Sequence, residues 1–418
     1  MLAASLVALV PAALAAQSAV PIDSMLDRLV AEARAANPRL LGDEAMARAA
    51  AARVRAAGAL PDPMLDLGVM DLTLPAFSFR RSDFTEVDVG ISQEFPWPGT
   101  LGARTRAARA ELGARTADAS ARRRELTVQV ADRYYRVRYL VTARETLQRQ
   151  RALLQTAVEI ATARYATGSV PQSDPLQARV ARARLDADAA ALAAEEAGAR
   201  AELRALRRAP AESLALAPLP VLADSMWRAH ERFGLALTDN ALEQHPRLLA
   251  RREALEVARQ TVAVERLGAR PDFTLSARYG ARPLGSDFFS AFVGVRLPLW
   301  AGRKQLRLAD AARAESEAAS AALAGEETAL SAELARTRAD ITGGAERIRL
   351  LADQVVPAAD ATVEAALRSY GVGQADFLSV LSAEDALYRA RLELASVTAE
   401  HFTHLVMLHE LVRPEGAR

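Results

Sequence analysis

The 418-residue chain has no cysteine. That excludes thiolate metal sites, disulfides and lipid attachment through a thiol. Lysine is nearly absent too: Lys304 stands alone and the other basic residues are arginine. The basic total of 53 nearly cancels the acidic total of 52, so charge gives no argument for a nucleic-acid partner. Beyond the N-terminus no stretch reaches about 18 consecutive apolar residues, so no helical membrane span is expected. Walker, GxSxG and dinucleotide-binding patterns are missing as well. The chain therefore reads as no enzyme, with no cofactor. Aromatics make up only 5%, and they cluster around a few short segments.

The opening MLAASLVALVPAALAAQSAVP is apolar and ends in small residues. Residues 1–16 read as an export signal, although no Lys or Arg precedes Arg28. The rest of the chain is duplicated. Asn37-Pro38-Arg39-Leu40-Leu41 recurs as His245-Pro246-Arg247-Leu248-Leu249. Pro61-Asp62-Pro63 is answered by Pro271-Asp272-Phe273, and Pro96-Trp97-Pro98-Gly99 by Pro298-Leu299-Trp300-Ala301-Gly302. Arg164-Tyr165-Ala166-Thr167-Gly168 is answered by Ser369-Tyr370-Gly371-Val372-Gly373. The order is the same each time, at a spacing of about 200 residues.

Each half reads helix, strand, strand, very long helix, turn, shorter helix. The first repeat occupies 17–209, with a helix over 24–59, strands over 62–71 and 84–95, and helices over 98–167 and 172–208. The second occupies 241–418, with elements over 241–268, 271–280, 287–298, 302–370 and 374–411. Between them, 210–240 is a linker marked by Pro210, Pro218 and Pro220, with a short helix near 224–232. Pro357 predicts a kink in the second long helix.

The strands alternate. Phe273, Leu275, Ala277 and Tyr279 face away from Asp272, Thr274, Ser276 and Arg278. Val87, Val89 and Ile91 oppose Glu86, Asp88 and Ser92, and Phe289, Ala291, Val293, Val295 and Leu297 oppose Ser290, Gly294 and Arg296. Phe77, Phe79, Phe84, Phe95, Trp97, Tyr279, Phe288, Phe289, Phe292 and Trp300 crowd these strands and their ends. Strands of about ten residues with one apolar face, one polar face and aromatic ends suit a transmembrane barrel. The same alternation also fits a sandwich, or hairpins packed on helices. Helices of about 70 residues, about 105 Å long, weigh against a compact domain. Four strands cannot close a barrel alone, so a membrane reading requires several chains.

The ordered set of motifs resembles the TolC-like outer-membrane efflux channels. It comprises the duplication, the Asn37-Pro38 entry, the Ser92-Gln93-Glu94-Phe95-Pro96-Trp97-Pro98-Gly99 junction and the Tyr-x-x-Gly turns. The resemblance implies a mainly α chain with a small β part. Three copies would form a twelve-stranded outer-membrane β-barrel continuous with a twelve-helix periplasmic α-barrel. It also implies a passive conduit, partnered by a periplasmic adaptor (membrane fusion) protein, an inner-membrane pump of RND type and outer-membrane lipid. The junction most resembles the branch serving metal-cation exporters. The alternative is a soluble periplasmic helical-hairpin adaptor or scaffold.

On this reading Tyr165, Gly168, Ser169, Tyr370 and Gly373 are the adaptor-docking tips. Asp174 and Asp376 are aperture candidates, with helix caps or first-turn acids as the alternative. Pro96, Trp97, Pro98, Gly99, Pro298, Trp300 and Gly302 form the barrel-to-helix junctions. Pro98 is expected to start a helix and Gly302 to repeat the role of Gly99. His401, His404 and His409 have no convincing third metal ligand and read as a solvated helix end. Met64 and Met70 read as lumen-facing or interfacial fillers. Gly343-Gly344 reads as a flexible or closely packed spot rather than a phosphate cradle.

Overall fold

The computed structural model describes residues 24–70, 85–209, 216–219 and 239–413. The export signal, Phe77, Phe79, Phe84, Pro210, Pro220 and the short helix near 224–232 lie outside them. The elements are α1 (Ser24–Ala36), α2 (Pro38–Ala57), β1 (Met64–Met70), β2 (Glu86–Phe95), α3 (Thr100–Ala166) and α4 (Ser173–Arg207). Next come α5 (Pro246–Leu267), β3 (Asp272–Ala281), β4 (Phe288–Arg296), α6 (Gln305–Leu350), α7 (Val356–Gly371) and α8 (Phe377–Val412). A 3-10 turn, Asp239–Gln244, precedes α5, and a π turn, Leu351–Val355, joins α6 to α7. α3 alone has 67 residues, about 100 Å of helix.

Two compact units are present. One takes in residues 42–121 and 243–330 and holds the sheet; the other takes in residues 1–41, 122–242 and 331–418 and holds the helical hairpins. The sheet is antiparallel throughout, in the order β1-β2-β3-β4. Its register sorts the side chains as the alternation requires. Leu65, Val89, Ala277 and Ala291 share one face, while Asp66, Asp88, Arg278 and Ser290 share the other. Met64 and Met70 pair with Ser92 and Glu86 and so lie on the polar face. The apolar face is left open: Leu67 is 73% exposed, Phe289 71% and Val293 74%. Monomeric soluble domains rarely leave such a continuous apolar surface uncovered.

In the helical unit, Leu26, Leu29, Val30 and Ala33 form one face of α1. They pack with Leu126, Val130, Tyr134, Val137 and Leu140 of α3 and with Leu203 of α4. The segment 216–219 is pinned to α3. Arg138 donates to Ala217 O at 3.0 Å and Pro218 O at 2.6 Å, and Leu219 N donates to Thr142 Oγ1 at 2.9 Å.

Several expectations are refined. The first helix breaks at Asn37, whose Oδ1 accepts from Arg39 N and Leu40 N and so caps α2 ahead of Pro38. His245 does the same for α5, accepting from Arg247 N. At the first junction Pro98 precedes the helix instead of opening it: Gly99, with φ of +95°, supplies the first accepting carbonyl, to Ala103 N. Trp97 stacks on Phe273, and its backbone N–H donates to Asp272 Oδ1 at 2.9 Å, tying the corner to β3. Gly302 is not left-handed, so the second junction turns by a different path, through a run of bonds from Ala301 N, Arg303 N and Lys304 N. The π turn sits just before Pro357, with Val356 N donating to Leu351 O, where a proline without an N–H interrupts the regular helical ladder. The C-terminal histidines are not a solvated end. His401 is buried within α8 and lies against Gly344, where a Cβ would come 3.3 Å from its Nδ1.

Candidate functional site: the two hairpin tips

Both helix-ending turns have the same backbone. At the first, Ser169 N donates to Arg164 O and Gly168 N to Tyr165 O, with Gly168 at φ of +71°. At the second, Gln374 N donates to Ser369 O and Gly373 N to Tyr370 O, with Gly373 at φ of +81°. Each is a Schellman closure. The left-handed residue reverses the chain while the last carbonyls of the helix stay satisfied. Glycine is needed because a Cβ costs about 1–2 kcal/mol in this conformation.

The side chains diverge. Tyr165 is exposed, whereas Tyr370 is only 1% exposed. The Tyr370 ring packs with Phe377 and with Leu154, Ala157, Ala161, Ala178 and Val380, so helices of both hairpins surround it. Its hydroxyl donates to Asp174 Oδ2 at 3.0 Å. Arg164 lies over the ring, 4.9 Å from its centroid, and donates to the Tyr370 carbonyl. Arg164 Nη2 also sits 3.1 Å from where a Cβ on Gly373 would be. One residue from each turn, with the first turn of α4, thus forms a buried latch. Burial first, and then the bond to Asp174, push the Tyr370 phenol up to about 12.

The two acidic candidates are not equivalent. Asp376 is the N-cap of α8, accepting from Ser379 N at 2.9 Å. The Ser379 hydroxyl and then its N–H hold the Asp376 carboxyl below the usual range. Asp174 is not a cap, since Gln172 occupies that position; it lies in the first turn of α4, largely buried, and its partner is Tyr370. The helix starts two residues earlier than a cap at Asp174 before Pro175 implies, so Asp174 is the first-turn acid of the alternative reading and not a cap. Exposed apolar side chains gather near the turns: Leu176 and Val180 on α4, Val372 in the second turn and Leu378 on α8.

Sequence reasoning missed Arg164 and Glu384. Nothing local marks Arg164. Glu384 did leave a signal, an acid in the buried stripe Phe377, Val380, Glu384, Leu387 of α8. It is 1% exposed, its Oε1 has no hydrogen-bond partner, and burial alone pushes its carboxyl up to about 7. Among the described residues no group of three or more His, Asp or Glu could hold a metal ion. Nor is any described helix long and apolar enough to cross a membrane.

A sheet that is apolar on one open side and polar on the other, carried by a mainly helical chain with two glycine-closed hairpins, has the character that a membrane-barrel wall requires. The chain matches the family described as outer membrane efflux protein over residues 29–209 and 237–412, and it belongs to that family. It is accordingly an outer-membrane efflux channel protein and not an enzyme. It is 27% identical over 408 residues to the pyoverdine export outer membrane protein OpmQ of Pseudomonas putida, covering 90% of this chain and 83% of that one. Its fold matches the outer-membrane channel OprN with a TM-score of 0.79 at 19% identity, covering 93% of this chain and 90% of that one. It also matches the outer membrane protein VceC of Vibrio cholerae with a TM-score of 0.78 at 24% identity, covering 94% and 97%.

Proposed function

We propose that three copies of this chain close one barrel and form the outer-membrane conduit of a tripartite efflux system. The observation that carries this reading is the sheet. It has four strands, its apolar face is open, and among the described residues β1 and β4 have no outer neighbour. In lipid every strand edge must be paired, and three times four strands supply a closed ring with lipid outside and water inside. The chain then contributes no energy of its own, and transport is driven by an inner-membrane pump of RND type through a periplasmic adaptor. The adaptor docks at the tips. Tyr165, Gly168, Ser169 and Gly373 present the turns, and the exposed Leu176, Val180 and Val372 supply apolar surface. Tyr370 acts from inside as the latch that holds the two hairpins together. Asp174 gates by keeping or releasing it, and Asp376 fixes the start of α8.

The cargo to assay first is a small organic solute, in line with the pyoverdine exported by the Pseudomonas relative. Metal cations come second, on the resemblance of Gln93 to Gly99 to the metal-exporting branch. The deciding experiment is fractionation and cross-linking of the full chain. A conduit needs detergent for release and cross-links to a three-chain species. Release by salt as a single chain would instead establish the soluble scaffold and end this reading.

A further inference from the structure

Phe288 breaks the pattern of the sheet. It pairs with Gly280 and alternates with Ser290, so it lies on the polar face, opposite the apolar surface that carries Phe289. Its ring lies over Gly280 so closely that a methyl group there would overlap its Cε1 and Cζ. The Arg282 guanidinium lies over that ring, 4.6 Å from its centroid. Arg282 in turn donates through Nε and Nη2 to Glu86 Oε2, each at 3.1 Å. Glu86 is 5% exposed, whereas the Arg282 side chain keeps about a third of its surface open. Asp88 sits beneath, its Oδ1 3.1 Å from the same missing Cβ of Gly280 and without a hydrogen-bond partner.

The turn beside the stack is also fixed. Asp287 accepts from the Tyr279 hydroxyl and from Arg282 N. The stack therefore occupies the end of the sheet that carries the β3–β4 turn, away from the strand–helix corners near 95–100 and 296–305. A planar guanidinium held between an aromatic face and a carboxylate cannot sweep freely, as a lone surface arginine would. Nη1 is not used in the bonds to Glu86, and about a third of the Arg282 side-chain surface stays open.

We propose that the Phe288–Arg282–Glu86 stack is the selectivity element of the conduit. Its three copies, one per chain, ring the polar wall at the turn end of the sheet and set the charge and width that a solute meets there. Arg282 offers donors to anionic oxygens, Glu86 and Asp88 balance it, and Phe288 sets how far the pair stands from the wall. The inference rests on the reading that the polar face lines a closed barrel.

The test is single-channel recording of the full-length protein in planar bilayers under a potassium chloride gradient. Arg282→Gln leaves Glu86 uncompensated in each chain, so the reversal potential is expected to move toward cation preference. Glu86→Gln is expected to move it the opposite way. Phe288→Ala and Gly280→Ala leave the charge alone and are expected to change conductance with little shift of reversal potential. A variant that fails to assemble is recognised by loss of the cross-linked three-chain species, and the remaining variants then decide. Wild-type channels whose reversal potential is matched by both charge variants would overturn the assignment. Wild-type and Tyr370→Phe protein that both form no channel would instead overturn the barrel reading beneath it.

Discussion

Replacing Tyr370 by Phe removes one oxygen and leaves the ring in place. The hydroxyl donates to a carboxylate at 3.0 Å in a site where Tyr370 is 1% exposed and Asp174 is itself largely buried. A hydrogen bond to a charged partner contributes about 1.5–3 kcal/mol, and screening is weak at such burial. If the bond exists only when the hairpins are together, the variant loses about 2 kcal/mol of latch per chain. That is roughly a thirtyfold change in the ratio of parted to latched hairpins, at about 1.4 kcal/mol per tenfold. Three latches acting together multiply the effect. The assay is open probability in planar bilayers, with uptake of a bulky dye by cells as the in vivo counterpart. A double-mutant cycle with Asp174→Asn isolates the pair, and a coupling energy of about 1–3 kcal/mol is expected. The raised phenol sets the pH dependence. Its ordinary value is 10.0 and burial pushes it up to about 12, so the latch is complete below pH 10 and weakens as pH rises from 10 to 12. Open probability should therefore not vary through this group between pH 5 and 9. A Tyr370→Phe protein with wild-type open probability and no coupling to Asp174 would refute the latch.

Glu384 should make stability depend on pH in the acid range. Its carboxyl is raised from 4.5 to about 7 by burial, so between those values the unfolded chain ionises while the folded one stays neutral, and stability falls as pH rises. Glu384→Gln should remove that slope and stabilise the protein above pH 7 by about 3 kcal/mol, at 1.36 kcal/mol per pKa unit; equal melting slopes for both proteins would contradict it. The two turn glycines should differ. Gly168→Ala meets only the left-handed strain of about 1–2 kcal/mol, having nothing within 4 Å. Gly373→Ala must also displace Arg164 and should raise open probability, which Gly168→Ala should not. Arg138→Met should unpin 216–219 and lower the melting temperature by the loss of its bonds to Ala217 and Pro218, about 1.5–3 kcal/mol each; unchanged protease sensitivity of that segment would argue otherwise.

The alternation of Val87, Val89 and Ile91 against Glu86, Asp88 and Ser92 was legible because side-chain direction in a strand follows from position alone. The same holds for the turns closed by Gly168 and Gly373 and for the break near Pro357. Each depends on residues within about one turn of the position concerned. The argument for partner chains also needs no coordinates, since strand edges in lipid obey a rule that can be applied by counting strands.

What local pattern left open was the fate of like residues. Tyr165 and Tyr370 occupy the same place in the same turn, yet one lies at the surface and the other is enclosed by helices from both hairpins. Asp174 and Asp376 both come after a turn, yet one accepts from a phenol 196 positions away and the other caps its own helix. Phe288 reads as one more aromatic at a strand end until Gly280, Arg282 and Glu86 are brought around it by strand pairing. Backbone conformation is settled by neighbours along the chain. Burial, hydrogen-bond partnership and the resulting charge state are settled by neighbours in space, and those were chosen only when the helices and strands packed.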